Sequence, residues 1–231
     1  MPACYTEWKV LPHEPVVERS PRLRTVEGVM ESGTRRIMSL VRLDDGRILM
    51  HNAIALEDEE MAKIDAWGEV AAILVPNAFH RMDCRIMQAR YPKAKVYAPA
   101  GAAKAVGKAT PVHGGYSDVP QDARVRVLHV PGLKDREGVI EVEEDDGLGV
   151  VANDLLLNVP PQGFPMSMLL HPTGTLSVPG VSRWFIVSDK AAVKGHLQRY
   201  VDADVKRLVP GHGRIFDAGA AGPLKAAIDR L

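Results

Sequence analysis

The chain has 231 residues, 46% of them hydrophobic and 25% charged, and its 29 Lys and Arg balance its 29 Asp and Glu. That composition predicts a globular protein with one sizeable core, taken as a single domain over residues 1–231, and a zero net charge argues against a nucleic-acid partner. No apolar run approaches the roughly 18 residues of a membrane span, so no membrane partner is expected. Met1–Val10 shows no cationic stretch ahead of an apolar core, so no secretory leader is expected. Cys4 and Cys84 are too few for a disulfide framework or a thiolate zinc cage, which predicts a reduced, cytoplasmic setting.

Pro2, Pro12, Pro15 and Pro21 suit extended or edge segments rather than helix. The runs at 36–43 and 47–51 flank Asp45-Gly46 and predict a hairpin. Asp58 can cap a helix that runs through about Trp67 and ends at Gly68. The apolar run from Val70 to Val75 reads as a strand buried on both faces, halted by Pro76-Asn77. A helix from Met82 to Arg90, a strand at 95–98 and a small helix at 102–108 follow.

The middle of the chain is strand-rich, with runs at 124–130, 138–143 and 149–154 and a turn at Asp146-Gly147. The segment 160–180 is rich in proline, glycine and methionine. It reads as a loop over the core, as a lid, or as an apolar contact that would make a homodimer. Asp189 caps a helix to Val201, Val205–Val209 is a last strand closed by Pro210-Gly211-His212-Gly213, and a terminal helix starts near Gly222. Ligand sites gather where loops leave strand ends, which singles out residues 76–83, Asn153-Asp154 and residues 210–213.

Those three loops, in that order, resemble the metallo-β-lactamase superfamily. The resemblance is carried by the hairpin stretch 43–50, by Ile73-Leu74-Val75-Pro76-Asn77-Ala78-Phe79-His80 before the family's histidine-rich motif, by Val150-Val151-Ala152-Asn153-Asp154, and by Leu208-Val209-Pro210-Gly211-His212-Gly213. Residues 76–80 and 153–160 also resemble a divergent DUF4336-type branch. The resemblance implies an α/β fold of metallo-β-lactamase type: an αββα four-layer sandwich, two mixed β-sheets with helices outside.

The departures bear on chemistry. The family holds two zinc ions with five histidines and two aspartates. Aligned without gaps, its clustered histidines fall on Asn77, Phe79 and Met82 and its aspartate on Arg81, while its middle histidine falls on Leu133. Shifted by one residue, His80 and Asp83 take ligand places beside Asp154 and His212. Two imidazoles and two carboxylates suit one divalent ion, which could be zinc, iron or manganese.

The expected function is therefore a metal-dependent hydrolase of an unidentified small molecule, with at most a mononuclear site. Asn77, Arg81 and Lys134 are the candidate substrate contacts. The alternative is a catalytically inactive binding or interaction protein without metal, in which Asp154 is neutralised by Arg81 or Lys134, or pairs with His212. The residues also allow plainer roles: Asp83 in a first helical turn, Asn77 in an Asx-turn, His80 on a backbone carbonyl. Cys84 reads either as a nucleophile or as a small buried hydrophobe.

Overall fold

The computed structural model describes residues 3–164 and 166–231; Pro2, one of the four early prolines, lies outside them. The chain divides into two compact units, Met1–Val127 and Leu128–Leu231.

The first unit carries a six-stranded sheet in simple sequence order. Its strands are β1 (Val17–Ser20), β2 (Leu23–Val29), β3 (Arg35–Arg42), β4 (Arg47–His51), β5 (Glu69–Leu74) and β6 (Lys95–Tyr97). The first four pair antiparallel, and β4, β5 and β6 run parallel, so the sheet is mixed. The hairpin at Asp45-Gly46 forms as expected, with Gly46 at φ +85° where an L side chain would be strained.

Helices α1 (Asp58–Trp67) and α2 (Cys84–Arg90) are the connections that the parallel strands β4, β5 and β6 require, and α3 (Ala100–Val106) follows β6. Each lends apolar residues to one core: Met61 and Ile64 from α1, Met87 from α2 and Val106 from α3 join Met38, Leu40, Met50, Ile73 and Val96 of the sheet. Helix α2 starts two residues later than the sequence predicts, because Arg81, Met82 and Asp83 turn before the helix is established.

A second sheet has the order β11-β9-β8-β7. It comprises β7 (Val125–His129), β8 (Gly138–Glu144), β9 (Gly147–Val151) and β11 (Arg207–Val209). Strands β8 and β9 form the antiparallel hairpin expected around Asp146-Gly147, and β9 and β11 are parallel. A two-residue pair, β10 (Leu157–Asn158) and β12 (His212–Gly213), was too short to leave a sequence pattern.

Within segment 160–180 the chain forms a single turn, α4 (Met166–Leu169), and then enters α5 (Gly180–Phe185). Met168, Trp184 and Phe185 are mostly exposed there. Helix α6 (Lys190–Asp202) is capped by Asp189, whose Oδ1 accepts from the Ala192 N–H at 3.0 Å. Val193 and Leu197 of α6 and Leu224 and Ile228 of α7 (Ala221–Asp229) pack with Val139, Val150 and Leu208 to form the second unit's core. No helix among the described residues is long and apolar enough to cross a membrane.

Candidate functional site

In the second unit, β9 and β11 lie parallel with Val151 opposite Val209. Parallel neighbours end on the same side of a sheet, so their following loops emerge together. The Ala152 N–H donates to the Val209 carbonyl at 2.8 Å and ties the two exits. Asp154 and His212 lie beyond those exits, with His212 Nε2 3.2 Å from Asp154 Oδ1. The β10–β12 pairing sets His212 opposite Leu157 and Gly213 opposite Asn158. The Ser182 hydroxyl, from α5, donates to the Asp154 carbonyl at 2.6 Å.

The two glycines around His212 permit this approach. A Cβ on Gly211 would stand 2.7 Å from the Asn153 carbonyl carbon and 2.9 Å from its Cα. Gly213 has φ +89°, and a Cβ there would meet the Asn158 oxygen at 2.1 Å. Only a residue without a side chain brings one backbone this close to another.

Beneath Asp154 lies Glu137, with no solvent exposure. Its Oε1 accepts from the Leu155 N–H at 2.8 Å, and the Asn153 N–H also bonds to the carboxyl. The acid therefore grips the backbone on both sides of Asp154. Burial pushes its carboxyl well above the usual glutamate range, the negative charge of Asp154 adds to the rise, and the two N–H donors partly oppose it. Glu137 Oε2 and both polar side-chain atoms of Asn153 are buried with no hydrogen-bond partner among the described residues.

In the first unit, the loop after β5 is organised by Asn77. Its Oδ1 accepts from the Phe79 N–H at 2.8 Å and the His80 N–H at 3.3 Å, the Asx-turn that its residue type suggests. His80 is buried, and its Nδ1 lies 2.9 Å from Asn52 Oδ1. Asp83 is buried as well. One of its oxygens takes the Arg36 guanidinium, and the other accepts from the Ala55 N–H at 3.0 Å. That ion pair is shielded from water, with Arg36 and Asp83 side chains 3% and 2% exposed, so Asp83 is committed to a cation of the protein.

Arg81 donates from Nη1 to the Ala105 carbonyl at 2.7 Å. Lys134 is exposed on a turn where it and Asp135 both have positive φ. Leu133, at the family's middle histidine place, is fully buried in the second unit's core. Cys84 is buried at the start of α2, and burial pushes its thiol up to about 12. The thiolate needed of a nucleophile is thus disfavoured, and the hydrophobe reading of this residue fits.

Three residues near these loops carried no motif in the sequence: Arg36, Asn52 and Glu137. Arg36 sits in a β-strand among apolar neighbours, where a charge needs a buried partner. Asn52 has φ +57°, a conformation asparagine tolerates better than most residues. Glu137 lies just before an apolar strand, and nothing local marks it as buried.

No protein-family model and no curated relative matches the sequence. Solved structures do. The metallo-β-lactamase DIM-1, in a crystal exposed to ceftazidime, aligns over 96% of this chain and 99% of its own at 13% identity, with a TM-score of 0.65. FIM-1 from Pseudomonas aeruginosa, solved in its mono-zinc form, aligns over 94% of this chain and 96% of its own at 15% identity, with a TM-score of 0.58. A metallo-β-lactamase from Erythrobacter litoralis gives 11% identity, the same coverages and a TM-score of 0.60. At these identities the likeness concerns the backbone: the chain has the α/β metallo-β-lactamase fold.

Proposed function

We propose that this chain is a metal-dependent hydrolase that holds one divalent ion with Asp154 and His212, joined by His80 as the resemblance of residues 73–80 to the family's histidine motif implies. Each of these offers one ligand atom of a kind zinc accepts. Two imidazoles with one carboxylate also suit ferrous iron. The observation that carries the reading is the spacing of the Asp154–His212 pair, since the inactive alternative also brings these residues together but as a charge-assisted hydrogen bond of ~2.7–2.9 Å. Ligand atoms at ~2.0–2.2 Å from a tetrahedral ion stand about 3.3 Å apart or slightly more, and the pair stands at 3.2 Å. Asp83, expected as a fourth ligand, is left out because Arg36 and the Ala55 N–H occupy its oxygens.

A bound divalent ion would lower the pKa of water to about 7 and polarise a carbonyl or phosphoryl oxygen. The chain's own residues set the rest. Gly211 and Gly213 let His212 reach Asp154, Glu137 fixes the backbone beside Asp154, and Asn77 shapes the loop that carries His80. We assign Arg81 and Lys134 as contacts for an ester, amide, lactone or phosphodiester substrate with anionic character. Asn77, whose Oδ1 shapes its own loop, is kept as a third such contact. The narrower DUF4336-type assignment is supported by stretches 76–80 and 153–160, and a cytoplasmic setting by two thiols that form no disulfide.

Elemental analysis of untagged protein, purified without chelator and then offered zinc, iron or manganese, tests the reading. About one equivalent should be retained, and lost in Asp154→Ala and His212→Ala. No retention after re-addition would overturn it and leave the inactive binding protein as the better account.

A further inference from the structure

The first unit holds a chain of buried polar contacts that reaches His80, and it specifies more than position. Asn52 is fully buried just beyond β4. Its backbone N–H donates to the Leu74 carbonyl at 3.0 Å, and its side-chain Nδ2 donates to the Ile37 carbonyl at 2.8 Å. An amide with its nitrogen committed to a carbonyl must present its oxygen on the other side. Arg36 confirms the direction, since its Nη1 reaches Asn52 Oδ1 at 3.4 Å and a guanidinium only donates. Arg36 is itself fixed by Asp83 and by the Ala53 carbonyl at 3.1 Å.

His80 Nδ1 approaches that same oxygen at 2.9 Å. A carbonyl oxygen can only accept, so Nδ1 must carry the hydrogen. When the imidazole is neutral, its lone pair is then on Nε2.

We propose that Asn52 is a positioning residue that locks His80 as the Nδ1–H tautomer and so presents Nε2 as the metal-binding nitrogen. The tautomer stands on the hydrogen-bond geometry alone; only its consequence for metal rests on the function proposed above. The tautomer that predominates in free histidine is the opposite one, with hydrogen on Nε2 and no lone pair there. Imidazole ligands commonly use one nitrogen for the metal and the other for such a partner, and removing the partner typically weakens metal binding ten- to a hundredfold.

The test is a long-range ¹H–¹⁵N correlation spectrum of the histidine rings in the full, metal-stripped chain. It is recorded at pH 8, above the ordinary histidine value of ~6.5. His80→Gln identifies the His80 signals among those of the eight histidines. The expected result is a protonated Nδ1 and an unprotonated Nε2. Hydrogen on Nε2 would overturn the proposal, and this outcome needs no variant of Asn52 to fold. Asn52→Ala should move the ring toward Nε2–H and weaken zinc binding ten- to a hundredfold, measured by competition with a chromophoric chelator. Asn52→Asp, which keeps an acceptor in place, should restore the tautomer. An unchanged tautomer in Asn52→Ala would also overturn the proposal. The expected tautomer in a chain that takes up no zinc would sustain the role of Asn52 and reject the metal reading.

Discussion

Asp154 and His212 stand at the same offset, three positions, from two residues that face each other in the sheet, Val151 and Val209. The pairing register thus places the carboxylate and the imidazole side by side before any side-chain contact is considered. If the two act as one chelate, removing either breaks the same unit, and their effects cannot add. Asp154→Ala and His212→Ala should each abolish metal retention, and the double variant should bind no more weakly than either single one. Isothermal titration with zinc checks this. Two singles that each keep appreciable affinity, with losses that sum in the double, would show independent sites.

Gly211 gives a way to disturb that pair without touching either side chain. A methyl group there would press on the Asn153 backbone at 2.7–2.9 Å and push the two loops apart. Gly211→Ala should cost about 1–3 kcal/mol of stability, the usual range for overpacking, and should weaken zinc binding. Gly222 lies in α7 with nothing within 4 Å of its added methyl. Gly222→Ala should therefore be neutral or stabilising by up to ~1 kcal/mol through helix propensity. Urea denaturation of both variants reads the contrast, and equal midpoints would contradict it.

Sequence pattern reaches the elements whose signals are local. The Asp45-Gly46 hairpin, α1 with Gly68 after it, and α6 with its Asp189 cap all follow from neighbours in the chain. Asp154 and His212 stood out because each follows an apolar strand in a loop. What stayed hidden depends on contacts distant in sequence. Asp83 looks like a ligand until Arg36, from β3, is seen to occupy it. Glu137 looks like a surface acid until Asn153 and Leu155 close over it. The β10–β12 pair is two residues long, too short for any periodicity.

The Arg36–Asp83 pair should behave as a buried ion pair rather than as part of a metal site. Breaking it from one side leaves an uncompensated charge, which typically costs ~3–5 kcal/mol. Asp83→Ala and Arg36→Ala should each destabilise by that order, while Arg36→Met combined with Asp83→Leu should recover much of the loss. Chemical denaturation of the cycle measures the coupling. An Asp83→Ala variant that is fully stable and loses metal instead would return Asp83 to the ligand set.

Cys84 offers a chemical check on the packing at the start of α2. With its thiol at about 12, only about one part in ten thousand would be thiolate at pH 8. Iodoacetamide should leave Cys84 unmodified in the folded chain and label it in urea. Half-buried Cys4 serves as the accessible comparison. Mass spectrometry should find Cys84 adducts only after unfolding, and rapid native labelling at this position would contradict its burial.

Glu137 makes stability depend on pH in the direction opposite to an ion-paired carboxylate. Its folded value is raised above the ordinary 4.5, chiefly by burial and next by Asp154. Between the ordinary and the raised value, the folded chain keeps a proton that the unfolded chain has released. Folding then binds the extra proton, so stability falls as pH rises through that window and is fullest below it. Glu137→Gln removes the titration while keeping an oxygen that can accept from the Leu155 N–H. Thermal unfolding in chelator from pH 5 to pH 9 should therefore show the wild type losing stability relative to Glu137→Gln, with the two closest at pH 5. Curves that run parallel across the range would mean that Glu137 carries no linked proton, and a wild type that gains on the variant with rising pH would mean that its carboxylate is held charged by a cation.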